Sequence, residues 1–189
     1  MDFEQIQNEL KKTMKKNRYQ HVCRVSAVAE QIAEYYHLPV ENIKIAGLIH
    51  DCAKDYTFAQ LNSLINKYKI SLNEVERHIP KIWHAYVGAE MAKDIFQIDN
   101  QEILDAIRYH STASVRLGLM GKVIYIADKI EPNRKSIKTK ELWQLIWKDI
   151  DMAMLELLDR ELRYLILKKL VIHPDTLEVR NKIIIDRDF

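Results

Sequence analysis

Several ionisable side chains stand in apolar surroundings where charge is costly. His50 and Asp51 close the otherwise apolar run AGLIHD. A buried carboxylate is unfavourable unless something pairs with it. A metal cation is one efficient partner, because it offsets the charge and uses the lone pairs. Adjacent residues on a helix point about 100° apart. His50 and Asp51 can therefore reach one ion only near their shared edge, unless Asp51 bridges two ions. His21 opens another apolar stretch, His84 lies soon after Pro80, His110 ends RYH, and Asp128 sits inside VIYIADKIE. Each comes from a separate helical segment, as in metal sites built inside helical bundles. Imidazole with carboxylate suits iron, manganese, cobalt, nickel or zinc better than calcium.

The elements that must position these residues read as helices. Phe3, Ile6, Leu10 and Met14 fall at helical spacing. A second helix is expected from about Tyr19 to Tyr36, broken at Leu38-Pro39 because proline pushes its predecessor out of the helical region. A third covers Val40 to Ala53. Thr57 caps a helix reaching Tyr68, and Ser71 with Glu74 has the pattern of a capping box. Further helices are expected over Pro80 to Phe96, Gln101 to His110 and Gly118 to Glu131. Leu142 to Ile166 reads as one long helix or a helical pair, and Thr176 to Asp186 as a final helix or a strand.

The chain has 189 residues, only 4 Gly and 4 Pro, and 48% hydrophobic residues. This length supports one apolar core without disulfides, and the scarcity of turn formers favours long helices over many short strands. The predicted fold class is all-α. The whole chain, 1–189, is expected to form a single domain, with a motif-bearing core over about 19–136 and a helical C-terminal extension over about 139–189. The stretch from Pro132 to Thr139 is the expected boundary between them. The formal charge of +2 and the dispersed lysines and arginines argue against a nucleic-acid or membrane partner. The N-terminus lacks the pattern of a signal peptide. With two cysteines, Cys23 and Cys52, that form no metal-binding pair by spacing, it suggests a cytoplasmic setting.

The order His21, His50-Asp51, Asp128 resembles the signature of the HD-domain superfamily of phosphohydrolases. The strings HDCAKD (His50 to Asp55) and ADKIEPNR (Ala127 to Arg134), with His84 and the HST segment His110 to Thr112, are similar to the YqeK-type symmetrical bis(5'-nucleosyl)-tetraphosphatases. That resemblance implies an HD-domain helical bundle with additional N- and C-terminal helices. It also implies His21, His50, Asp51 and Asp128 as metal ligands, with His84 and His110 completing a second ion site or holding phosphate oxygens. One or two divalent ions follow, iron foremost. The implied activity splits diadenosine tetraphosphate into two ADP by a metal-activated water, so dinucleoside polyphosphate or nucleoside diphosphate would be the bound partner. The residue after Thr112 is Ala113, where the family commonly has glycine.

Asp51, Lys54 and Asp55 are the expected catalytic group. Lys54 lies one turn beyond His50 and can face the same cleft. It is expected to neutralise phosphate oxygens, with Arg134 as a second cation able to bind in two-pronged fashion. Ser111 and Thr112 could donate to phosphate or ribose, and Asp55 could orient Lys54 or a histidine. Taken singly, His37 and His173 read as surface residues, and Trp83 and Tyr109 as packing. Two other functions compete: an HD-type nucleotidase or phosphodiesterase on another nucleotide, and a metal-dependent nucleotide-binding sensor. The long apolar C-terminal helix could serve as a partner surface, a homodimer included.

Overall fold

Asp2 accepts the Gln5 amide while the Gln5 side chain returns to the Asp2 amide, and this reciprocal cap starts α1 (Phe3–Thr13). Ile6 and Leu10 of α1 are buried. The computed structural model describes residues 1–134 and 139–187, and every regular element among them is helical. After α1 come α2 (Lys16–Tyr35), α3 (Val40–Ile49), α4 (Phe58–Lys67) and α5 (Glu74–His78). A 3-10 turn over Pro80–Ile82 leads into α6 (Trp83–Asp94), followed by α7 (Gln101–Tyr109) and α8 (Leu119–Ile130). The C-terminal part holds α9 (Thr139–Lys148), α10 (Ile150–Leu167) and α11 (Pro174–Ile185).

Several boundaries differ from expectation for local reasons. The second helix starts at Lys16, earlier than Tyr19. The third stops at Ile49, because the chain then tightens into turns closed by Cys52 N–H to Ile49 C=O and Lys54 N–H to Asp51 C=O. The capping box before α5 is Asn73 with Glu76, two residues later than the Ser71–Glu74 pattern. Asp149 separates α9 from α10, its carboxylate accepting the amides of Asp151 and Met152, so the C-terminal region is a helical pair. The final segment is a helix: His173 caps it, and Pro174 occupies its first position.

α2 and α3 pack so closely that a Cβ added at Gly47 would lie 2.8 Å from the Ser26 Cα. α8 passes through the interior, burying Val123 to Ala127 completely. Leu142, Ile146, Met154 and Leu158 from α9 and α10 join the same core, so the C-terminal helices pack onto the segment that carries the motifs. Residues 135–138, inside the expected core-to-extension boundary, lie outside the described residues. Among the described residues no helix is long and apolar enough to cross a membrane.

Candidate metal centre

Five segments bring their side chains to one place. α2 supplies His21, the turn after α3 supplies His50 and Asp51, and the first turn of α6 supplies His84. The end of α7 supplies His110, and α8 supplies Asp128. All but Asp128 are buried, and the Asp128 side chain is only 13% exposed.

Three of the rings are aimed by their own backbone. The Nδ1 of His50 lies 2.8 Å from the Gly47 carbonyl, that of His84 2.8 Å from Lys81, and that of His110 2.7 Å from Ile107. A carbonyl can only accept, so each Nδ1 carries a proton, and Nε2 is the ring atom left facing inward, free to ligate in the neutral form. His21 follows the same logic with a carboxylate, its Nδ1 lying 3.3 Å from Glu131 Oε1. A hydrogen bond on the far nitrogen is how metal-ligating imidazoles are oriented.

Asp51 stands between the rings. Its Oδ1 is 3.1 Å from His84 Nε2 and 3.4 Å from His110 Nε2. Its Oδ2 is 3.7 Å from the Nε2 atoms of both His21 and His50. Asp128 Oδ1 lies 3.1 Å from His21 Nε2 and 3.8 Å from His50 Nε2. Among the described residues, His21, His50 and Asp51 form one group that could hold a metal, and Asp51, His84 and His110 form another, each with ligand atoms within 4.8 Å of one another.

The chemistry of these atoms fits a cation. His21 Nε2, His50 Nε2 and Asp51 Oδ1 are buried without a hydrogen-bond partner, a costly state for polar atoms. The Nε2 atoms of His84 and His110 face each other at 3.1 Å. Two bare lone pairs at that distance repel unless a proton or cation lies between them. Burial pushes His50 and His84 down to about 4, so both are neutral near pH 7, the form that ligates. Burial works against the Asp51 charge, but His50, His110 and His84 outweigh it and hold that carboxyl well below its ordinary range. Burial likewise opposes the Asp128 charge, and the His21 contact and Lys129 keep it ionised.

Cations surround the acids. Arg18 Nη1 is 2.6 Å from Asp51 Oδ2, and Arg134 Nη2 is 2.8 Å from Asp128 Oδ1. Lys54 Nζ lies 3.1 Å from His84 Nε2, and burial lowers its pKa. Ser111 Oγ is 3.1 Å from His110 Nε2 and faces the cleft. Thr112 is buried, and its hydroxyl donates to the Ala113 carbonyl at 3.0 Å. Asp55 does not orient Lys54 or a histidine through any observed bond. It accepts the Lys15 amide at 3.1 Å and faces Arg18 at 3.9 Å, so it anchors the start of α2. His173, expected at the surface, is buried with its Nε2 3.4 Å from Glu76 Oε1, whereas His37 is exposed.

Sequence reasoning passes over Arg18, Arg24 and Glu131. Glu131, which stands just before Pro132 at the end of α8, is only 2% exposed. It accepts Arg24 Nε at 2.5 Å and the Asn133 amide at 3.0 Å while holding His21. The available signal is its spacing, three residues beyond Asp128 and so on nearly the same helical face.

Three hollows adjoin the cluster and share lining residues in series. A basic one of about 450 Å³ is lined by Lys15, Lys16, Arg18, Arg24 and Arg134 among others. A central one of about 440 Å³ has Arg18 and Arg134 again, with Asp51, Lys54, Lys81 and Asp128. A third, also about 440 Å³ and mainly apolar, shares Lys54 and Lys81 with the central one.

Comparison with known proteins gives concordant matches. The HD domain family matches residues 18–133. A Bacillus subtilis protein named bis(5'-nucleosyl)-tetraphosphatase, symmetrical, is 32% identical over 88% of this chain and 89% of its own length. A protein of the same name from Halalkalibacterium halodurans is 28% identical, covering 94% of this chain and 95% of that one. A crystal structure from Clostridium acetobutylicum, described as a predicted HD superfamily hydrolase involved in NAD metabolism, superposes with a TM-score of 0.94. It is 30% identical, with 99% of each chain covered.

Proposed function

The chain belongs to the HD domain family, and we propose that it is a metal-dependent hydrolase splitting diadenosine tetraphosphate symmetrically into two ADP. The observation that carries this reading is Asp51. One carboxylate faces two imidazoles through each oxygen, with lysines and arginines around it. The names of the relatives that match along most of their length supply the substrate.

In this reading His21, His50, Asp51 and Asp128 would hold one ion, and Asp51, His84 and His110 would hold a second where two are bound. Iron is the proposed metal, a choice compatible with mixed imidazole and carboxylate donors. When bound, such an ion withdraws charge from a phosphoryl group and lowers the pKa of a coordinated water. The chain's own residues do the rest. Glu131 and the backbone carbonyls aim the imidazoles inward. Lys54, Lys81 and Arg134 hold phosphate oxygens, Arg134 able to take two at once. Ser111 donates a hydroxyl beside His110. Cleavage between the second and third phosphorus leaves two phosphates on each product. We place this activity in the cytoplasm, where the unpaired Cys23 and Cys52 stay reduced.

Product identification with metal-loaded protein tests the proposal. ADP is expected as the sole nucleotide product, and AMP with ATP would reject symmetrical cleavage. His50→Ala and Asp51→Ala should each lower turnover by roughly a thousandfold or more, the scale of several lost kcal/mol of charge stabilisation.

A further inference from the structure

The hollows on either side of the metal centre differ in kind. The apolar one has an aromatic floor. Phe58, the first residue of α4, is 61% exposed although its position is firmly set. The Thr57–Gln60 capping box fixes its backbone. Its ring lies against Trp83, with centroids 5.1 Å apart and planes 31° from parallel. Trp83 is itself locked, buried and donating its indole N–H to the Glu76 carbonyl at 2.7 Å. An exposed ring backed by a fixed one costs little entropy to stack upon. Tyr56, Leu61 and Pro80 extend the apolar lining, while Lys54 and His84 join it to the metal centre.

Among the described residues, the hollow at the opposite end has no Phe, Tyr or Trp in its lining, only the inward-aimed His21 imidazole. Lys15, Lys16, Arg18, Arg24 and Arg134 outnumber the carboxylates of Asp55 and Glu131 there, which leaves a net-positive trough for negative charge. A planar base finds a partner at one end only, whereas phosphates find cations at the centre and at the far end.

We propose that Phe58 is the stacking platform for one nucleobase of the substrate, and that the other half of the molecule is held through its phosphates alone. This rests on the hydrolase reading above. It means that a substrate symmetric in itself is read asymmetrically. A ligand with one nucleoside, adenosine 5'-tetraphosphate, is therefore a substrate as well. Water adds across the anhydride between its second and third phosphorus. The water oxygen bonds to the phosphorus nearer adenosine, the bridging oxygen leaves with pyrophosphate, and the released proton passes to solvent. The products are ADP and pyrophosphate.

Calorimetry on the metal-loaded full chain, with ADP and pyrophosphate as probes, tests the platform. Phe58→Ala should weaken ADP roughly tenfold, as loss of one base–aromatic stack does, and leave pyrophosphate within about twofold. Phe58→Trp should restore ADP binding. A loss of ADP affinity below about threefold, or a loss shared equally by pyrophosphate, overturns the assignment. Turnover tests the asymmetry. The kcat/KM for adenosine 5'-tetraphosphate should lie within about tenfold of that for diadenosine tetraphosphate, and a larger deficit shows that the second nucleoside is read. Failure of the hydrolase reading shows separately, as absence of ADP among the wild-type products. The comparison of ADP with pyrophosphate still decides the platform in that case.

Discussion

Glu131 ties three things together in one carboxylate: the His21 ring, the Arg24 guanidinium and the turn at Asn133. Glu131→Gln keeps the shape and removes the charge that makes His21 a better donor. Metal affinity should fall by about tenfold to a hundredfold, as when other partners behind metal-bound histidines are removed. Metal titration of the stripped protein checks it, and unchanged affinity would remove Glu131 from the site. A pH effect also follows at this scale. His50 and His84 are held at about 4 by burial, whereas an unfolded imidazole titrates near 6.5. Between these values the unfolded chain binds more protons than the native one. Stability of the metal-stripped protein therefore falls as pH drops through that window and stops falling on this account below about 4. Melting temperatures at about pH 7 and about pH 5 should differ accordingly; equal values would mean that these rings are not buried neutral. The ligand types and their order are legible in the sequence because charge in an apolar run is itself a signal. The burial of Glu131 is not, because its partner Arg24 lies 107 residues away.

Close packing of α2 on α3 sets the distance between His21 and His50, one ligand from each side of that contact. Gly47 makes the approach possible, and its carbonyl also orients His50. Gly47→Ala brings a methyl against backbone, which cannot swing aside as a side chain can. A stability loss of about 1–3 kcal/mol is expected, with weaker metal binding. Denaturant midpoints measured beside metal titrations would show both, and a variant as stable as wild type would refute the contact. The loop after α7 has its own brace: Thr176 Oγ1, from α11, donates to the Thr112 carbonyl at 2.7 Å. Thr176→Val leaves that buried carbonyl unpaired and should cost about 1–3 kcal/mol, measurable in the same way. Ala113 in this loop has φ 59°, in the left-handed region. That gives a physical reason for the glycine common there in the resembling family. Helix periods are legible because apolar residues recur every three or four positions. The end of α3 is not, because the run IKIAGLIHDCA stays apolar through a change of backbone geometry. His173 is misread as surface because Glu76, which meets it, belongs to another helix.

The molecule as a whole builds its ligand cluster from the same contacts that hold the helices in place. All-helical architecture is foreseeable from the scarcity of glycine and proline. The union of the C-terminal helices with the motif-bearing part depends on packing that no local pattern records. The carbonyls of Gly47, Lys81 and Ile107 aim three imidazoles through main-chain bonds, none of which requires an ion as a partner. In this respect the chain is unlike a zinc finger, which collapses without its metal. Chelation should strip the ion while circular dichroism keeps its helical signal, and added metal should restore occupancy without refolding. An ion that plays no part in folding is free to exchange throughout the protein's lifetime. On the metal-dependent reading, supply would then weigh on which ion is held, since imidazole with carboxylate accepts several transition metals.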